Sequence, residues 1–140
     1  VNEAGLGWVG VDLDGTLADH DDNWDGGIGK PIEHMVARVK RWLAAGVTVR
    51  ILTARVHPDW DQDHKHLDAI QDWCVAIFGQ RLAVTCMKDP NMLELWDDRA
   101  VTVVRNTGLT HQELMLVRQK QHHQQSSIGC AKGITDTNGL

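Results

Sequence analysis

The chain has 140 residues, a length that suits one domain with a single buried core. With 42% hydrophobic and 24% charged residues it has the composition of a soluble globular protein, and no apolar run is long enough to span a bilayer. A formal net charge of -5 disfavours broad electrostatic binding to nucleic acid, while a local basic groove remains compatible with it. Cys74, Cys86 and Cys130 have no metal-binding spacing and no disulfide framework. Reduced thiols, together with the lack of a signal-peptide pattern, lead us to expect a cytoplasmic protein.

Residues 1–7 read as a loose lead-in, and residues 8–13 as a buried strand of apolar and β-branched character. That strand ends in Asp12-Leu13-Asp14-Gly15-Thr16. Positions i and i+2 of a strand face the same way, so Asp12 and Asp14 converge where the strand breaks into a loop. Gly15 permits a sharp turn there. Desolvated carboxylates must be paired or coordinated, and two close ones suit a hard cation such as Mg²⁺. On this stretch alone an ordinary Asp-rich turn accounts for the residues equally well.

Residues 18–30 are polar and Gly-rich and read as a loop or flap over the end of that strand. His20 and Asp21 have an open substrate-facing role, and Trp24 either covers the site or packs the flap. Pro31 then opens a helix carrying Ile32, Met35, Val36, Val39, Trp42 and Leu43 at helical spacing, with Gly46 as terminator. Residues 47–52 form a second strand running into Thr53-Ala54-Arg55. A second helix is expected from about Asp61 to Phe78, ended by Gly79. A short strand over 81–85, a fourth leading into Asp97-Asp98, and a fifth over 101–105 closed by Asn106-Thr107-Gly108 follow. Thr110 caps a last helix to about Gln121, and residues 122–140 are expected to be a poorly ordered tail.

Strands alternating with helices predict an α/β domain over 1–121: a mainly parallel, five-stranded, Rossmann-like sheet with helices on both faces and no cap domain. Ligands bind such sheets beyond the carboxyl ends of the strands. Strand tips in register would gather Asp12, Asp14, Thr53 and Asp97/Asp98 into one pocket. There Asp12 would attack a phosphate monoester, giving an aspartyl-phosphate, and Asp14 would serve as acid and base. Thr53 would hydrogen-bond a phosphoryl oxygen and Lys88 would supply fixed positive charge. Asp97 would bind Mg²⁺, with Asp98 completing the site. Taken singly, a strand-end Thr is usually a turn cap, a single Lys a solvated charge, and Asp-Asp a turn; the ordered combination carries the reading.

These residues resemble the motifs of the haloacid dehalogenase (HAD) superfamily of phosphohydrolases. Asp12-Leu13-Asp14-Gly15-Thr16 matches the first motif, Ile51-Leu52-Thr53-Ala54-Arg55 the second and Trp96-Asp97-Asp98-Arg99 the fourth, with Lys88 near the place of the third. The resemblance covers roughly residues 8–108. It implies a Mg²⁺-dependent phosphoric monoester hydrolase with Asp12 and Asp14 catalytic. Thr53, Ala54, Arg55 and Lys88 would bind the substrate phosphate, and Asp12, Asp14, Asp97 and Asp98 the metal. The gaps between motifs hold only a flap and single helices, so the chain resembles a capless member.

The partner expected on this reading is a small phosphorylated metabolite or nucleotide, with no membrane. A second copy of the chain is a further candidate, to cover the open site. Two alternatives stand beside it. The chain also resembles the 3′-phosphatase domain of polynucleotide kinases, with Arg55 and Arg99 on a nucleic-acid end, although no kinase P-loop is present. The other alternative is a non-catalytic HAD-like binding module.

Overall fold

The structure, a computed structural model, describes residues 7–131. Most of the expected lead-in and the end of the expected tail, 132–140, lie outside the described residues. The chain divides into two compact units, one up to Arg99 and one from Ala100 onward.

The first unit is α/β. Its elements are β1 (Trp8–Val11), α1 (Glu33–Ala44), β2 (Val49–Leu52), a 3-10 turn at Ala54–Val56, α2 (Lys65–Phe78), β3 (Ala83–Thr85) and β4 (Met92–Trp96). The strands form one sheet in the order β3-β2-β1-β4, and every neighbouring pair is parallel. β1 is central and all four of its residues are buried, which is why it reads as a continuous apolar run. Gly10 leaves room on β1 for the Trp8 ring: a Cβ there would lie 3.1 Å from it.

The core joins Val9 and Val11 of β1, Val49 and Ile51 of β2, and Met35, Val36 and Val39 of α1. Ile70 and Cys74 of α2, with Leu13, Leu17 and Leu82 from the connections, complete it. Both helices end where glycine allows it. Gly46 follows α1 at φ +81°, and Gly79 closes α2 at φ +73°, its N–H donating to Val75 O. Asp61 does not begin α2, as the sequence suggested. It is buried ahead of the helix, and its carboxylate accepts from the N–H groups of His66 (2.8 Å) and Leu67 (3.0 Å), satisfying two first-turn donors.

The sheet has four strands, not the five expected. In the second unit residues 101–104 take no regular structure. The chain there folds back on itself: Val104 N–H donates to Leu109 O at 2.7 Å and Thr107 N–H to Val104 O at 3.1 Å, with Asn106 and Gly108 at positive φ. The alternating valines have strand propensity, but propensity without a ladder partner makes no strand. The remaining element is α3, His111–Ala131. Thr110 and Glu113 cap it reciprocally, Glu113 N–H donating to Thr110 Oγ1 (3.2 Å) and Thr110 N–H to Glu113 Oε2 (2.8 Å). The helix continues ten residues past the expected end near Gln121, replacing part of the expected disordered tail. That stretch holds no proline, and its solvated face carries no apolar period to announce it. Among the described residues no helix is long and apolar enough to cross a membrane.

Candidate metal centre and pocket

In a parallel sheet all carboxyl ends share one edge, and here the chain leaves β1 for β2 on one side while β4 lies on the other. The tip of β1 is therefore the topological switch point. Asp12 N–H donates to Trp96 O at 2.9 Å, which extends the β1–β4 pairing by one residue and sets Asp12 beside Asp97. Beyond it the chain turns tightly, Leu13 O accepting from the N–H groups of Leu17 (2.9 Å) and Ala18 (2.8 Å). Gly15 has φ +87°, and a Cβ there would fall 2.7 Å from Asp98 Oδ2. Glycine is thus needed twice over, for its dihedral and for the close approach of Asp98.

Thr16 ties the two acidic loops together. Its Oγ1 accepts from Asp98 N–H at 3.0 Å and lies 3.2 Å from Asp98 Oδ1 and 3.4 Å from Asp12 Oδ2, to one of which its single proton is donated. Carboxylate oxygens of Asp12, Asp97 and Asp98 lie within 4.8 Å of one another. Among the described residues no Lys or Arg pairs with any of them. The Asp12 carboxyl is pushed up to about 7, first by burial, then by the charge of Asp97 and a hydrogen bond shared with Asp98, against the opposing Leu13 N–H. Three crowded oxygen donors without a counter-charge are a donor set suited to a hard divalent cation.

Asp14 is not part of this cluster. Its two carboxylate oxygens accept from Arg55, Nε to Oδ2 and Nη2 to Oδ1, both at 2.6 Å. A bidentate guanidinium is a better partner for a single half-buried carboxylate than a share in a crowded acidic site. The structure thus brings together three of the four carboxylates expected around the metal and sets the Asp14 carboxylate apart from them.

Arg55 is held by further partners. Its guanidinium also donates to Gly26 O (Nη1, 3.0 Å) and Gly27 O (Nη2, 2.7 Å), so four of its five N–H donors are engaged within the protein and one Nη1 donor is left for the expected phosphate. The side chain is only 7% exposed and lies 4.8 Å from the Trp24 ring centroid.

A cavity of about 420 Å³ opens beside the acidic cluster. Asp12, Asp14, Thr53, Ala54, Arg55 and Asp97, all expected at the site, line it. Thr53 is buried, and its Oγ1 accepts from Arg55 N–H at 3.3 Å, leaving its own proton to donate. His20 and Trp24 of the flap, Leu52, Cys86 and Arg99 complete the wall. His20 Nδ1 is 4.0 Å from Asp14 Oδ1. Arg99 has no ion pair among the described residues.

Lys88 is exposed and does not line the cavity. A parallel sheet forces the chain leaving β3 to return to the opposite edge before β4 begins, and residues 86–91 make that return. Asp89 is anchored at the far edge, accepting from Trp8 Nε1 at 2.8 Å and Arg50 Nη1 at 3.1 Å, and this draws its neighbour Lys88 away from the strand tips. Thr16 and Cys86 carried no assigned role in the sequence reading. The Thr of Asp-Gly-Thr was the available signal for the first; nothing in the sequence marked the second.

No protein-family model matches the chain, and no curated protein matches it. Among solved structures it is similar to a conserved protein from Bacteroides thetaiotaomicron, at 20% identity and a TM-score of 0.50, over 73% of this chain and 84% of that one. At that identity the likeness concerns the fold.

Proposed function

We propose that this protein is a Mg²⁺-dependent phosphomonoester hydrolase of the haloacid dehalogenase type, capless, acting on a small phosphorylated metabolite or nucleotide. The observation that carries the reading is the convergence of Asp12, Asp97 and Asp98 at the switch point of a parallel sheet, with Thr53 and Asp14 in the adjoining cavity. The connection from β1 to β2 holds only a loop and α1, and that from β2 to β3 only the 3-10 turn and α2, which supports the capless assignment. A cavity of about 420 Å³ is of the size that takes a small ligand.

Asp12, Asp97 and Asp98 would hold the cation, which when bound supplies positive charge to offset the phosphoryl oxygens. The Asp12 carboxylate forms a bond to phosphorus while the bond from phosphorus to the leaving oxygen breaks, giving an aspartyl-phosphate. Asp14, having first taken up a proton from solvent on an oxygen lone pair that the Arg55 fork leaves open, delivers it to that oxygen. In the second half Asp14 takes a proton from water, whose oxygen bonds to phosphorus as the Asp12–phosphorus link breaks and inorganic phosphate departs. The Thr53 hydroxyl donates to a phosphoryl oxygen, and Arg99, the cavity's unpaired cation among the described residues, meets the substrate's charge.

The test is phosphate release from nucleotides, sugar phosphates, p-nitrophenyl phosphate and a 3′-phosphorylated oligonucleotide, with and without Mg²⁺, using Asp12→Asn as the blank. Mg²⁺-dependent release that the variant lacks supports the proposal. Release confined to the oligonucleotide and lost steeply with added salt would turn it toward a nucleic-acid 3′-phosphatase, a reading that Arg99 favours. No release from any ester, with Mg²⁺ still bound, would leave a binding module.

A further inference from the structure

The loop over the site is closed firmly at its base; at its tip His20 Nδ1 lies 4.0 Å from Asp14 Oδ1, and among the described residues one residue from elsewhere in the chain hydrogen-bonds its backbone. At the base, Ala18 bridges Pro31, Asp19 N–H donates to Lys30 O at 2.7 Å, and Ile32 N–H donates to Leu17 O at 2.9 Å. Gly29 permits that closure, since a Cβ there would fall 1.9 Å from Asp19 O. Ile28 packs against the core. The tip differs. Residues 19–25 are all exposed, and their own hydrogen bonds are local: Asn23 N–H to Asp21 Oδ1, Gly27 N–H to Asp25 Oδ1 and Trp24 Nε1 to Gly27 O.

Among the described residues, the hydrogen bonds that reach the tip from outside the loop are those of Arg55 to Gly26 O and Gly27 O, and the Trp24 ring lies over the same guanidinium. Two further donors of that guanidinium grip both oxygens of Asp14. A guanidinium is a rigid planar fork, so fixing one side of it fixes the other.

We infer that Arg55 is a positioning residue that latches the tip of the loop and orients Asp14 as one unit, so that closing the loop over the cavity and setting the Asp14 carboxylate are the same event. The part concerning Asp14 as acid and base rests on the function proposed above; the tethering of the loop does not. Lysine, with a point charge on a flexible stem, keeps the charge but cannot grip two carboxylate oxygens and two carbonyls at once.

Hydrogen exchange on the full chain, without metal or ester, reads the latch directly. In Arg55→Lys the amides of residues 19–29 are expected to exchange at least ~10-fold faster, with β1 and α1 unchanged. Trp24→Ala, at an exposed position, is expected to raise exchange over residues 20–27 by a smaller factor. Unchanged loop exchange in Arg55→Lys overturns the inference. If that variant loosens the whole fold, Trp24→Ala decides, and unchanged loop exchange there overturns it equally.

The second readout is leaving-group dependence. Misplacing the acid should lower kcat for glycerol phosphate roughly 100-fold in Arg55→Lys, but for p-nitrophenyl phosphate, whose leaving group needs little protonation, less than ~10-fold. Equal losses on both esters reduce Arg55 to a structural role and overturn the claim about Asp14. A wild-type chain that hydrolyses neither these esters nor any of the panel named above sinks the proposed function, while the exchange result still decides whether Arg55 holds the loop.

Discussion

The crowding of Asp12, Asp97 and Asp98 makes a quantitative prediction that needs no substrate. Without metal, the folded protein holds the Asp12 proton up to about pH 7, whereas the unfolded chain releases it near the ordinary carboxylate value of 3.8. Between those values the folded state binds more protons than the unfolded one, so stability falls as pH rises through the window and levels off above it. At ~1.36 kcal/mol per unit the loss is at most on the order of 4 kcal/mol. A divalent cation reverses it. At a free Mg²⁺ concentration ten times Kd at pH 8, linkage gives about 1.4 kcal/mol of stabilisation. For a domain of this size that raises Tm by about 5 °C or more.

At pH 5 the cation must displace a proton held about two units more tightly, which weakens binding roughly 100-fold, and the same Mg²⁺ concentration should shift Tm by less than ~1 °C. Asp12→Asn removes the titrating group: compared with the wild type it should be more stable at pH 8 without metal, and nearly indifferent to Mg²⁺. Thermal melts of both proteins at pH 5 and pH 8, with Mg²⁺ or EDTA, measure all of this. The reasoning fails if Mg²⁺ leaves the wild-type Tm unmoved at pH 8, or if metal-free stability rises relative to Asp12→Asn between pH 5 and pH 8.

Three further outcomes follow from particular contacts. Asp61→Ala strips two first-turn amides of α2 of their acceptor and should cost about 1–3 kcal/mol in urea unfolding, while Asp61→Asn, keeping one acceptor oxygen, should cost less. Gly15→Ala adds a Cβ where Asp98 already sits and demands φ +87° of an alanine; it should cost about 1–3 kcal/mol and abolish the Mg²⁺-dependent rise in Tm. Lys88→Met, at an exposed site outside the cavity, should change the kcat of any Mg²⁺-dependent phosphatase activity less than ~10-fold. A loss near 1000-fold would mean that the 86–91 segment swings toward the strand tips during turnover.

The strands, the two core helices and their glycine stops were legible because each is announced within a few neighbouring residues. The apolar run at β1, the 3.6-residue period of Met35, Val36 and Val39, and Gly46 and Gly79 past the helix ends are local signals. The fifth strand was misread for the converse reason: the valines of 101–105 have local strand character, but the sheet ladder runs without them. The extension of α3 to Ala131 escaped because the sequence there carries no apolar period, and the side chains of residues 115–129 are exposed.

By itself, the sequence determined that carboxylates would stand at the tips of two strands, since Asp12 and Asp97 each follow directly on a stretch that reads as a strand. It also marked a sharp turn at Gly15, although the close approach of Asp98 that requires glycine there is tertiary. Only the tertiary structure decided which partner each charge takes. Asp14 and Arg55 are 41 residues apart and Arg55 and Gly26 are 29 apart, while Lys88 is drawn away by Asp89's bonds to Trp8 and Arg50. A strand or a turn is settled by dihedral preferences and periodicity over a few residues. The pairing of a charged side chain depends on which distant groups the folded chain brings within about 3 Å, and on which of them lack a better partner.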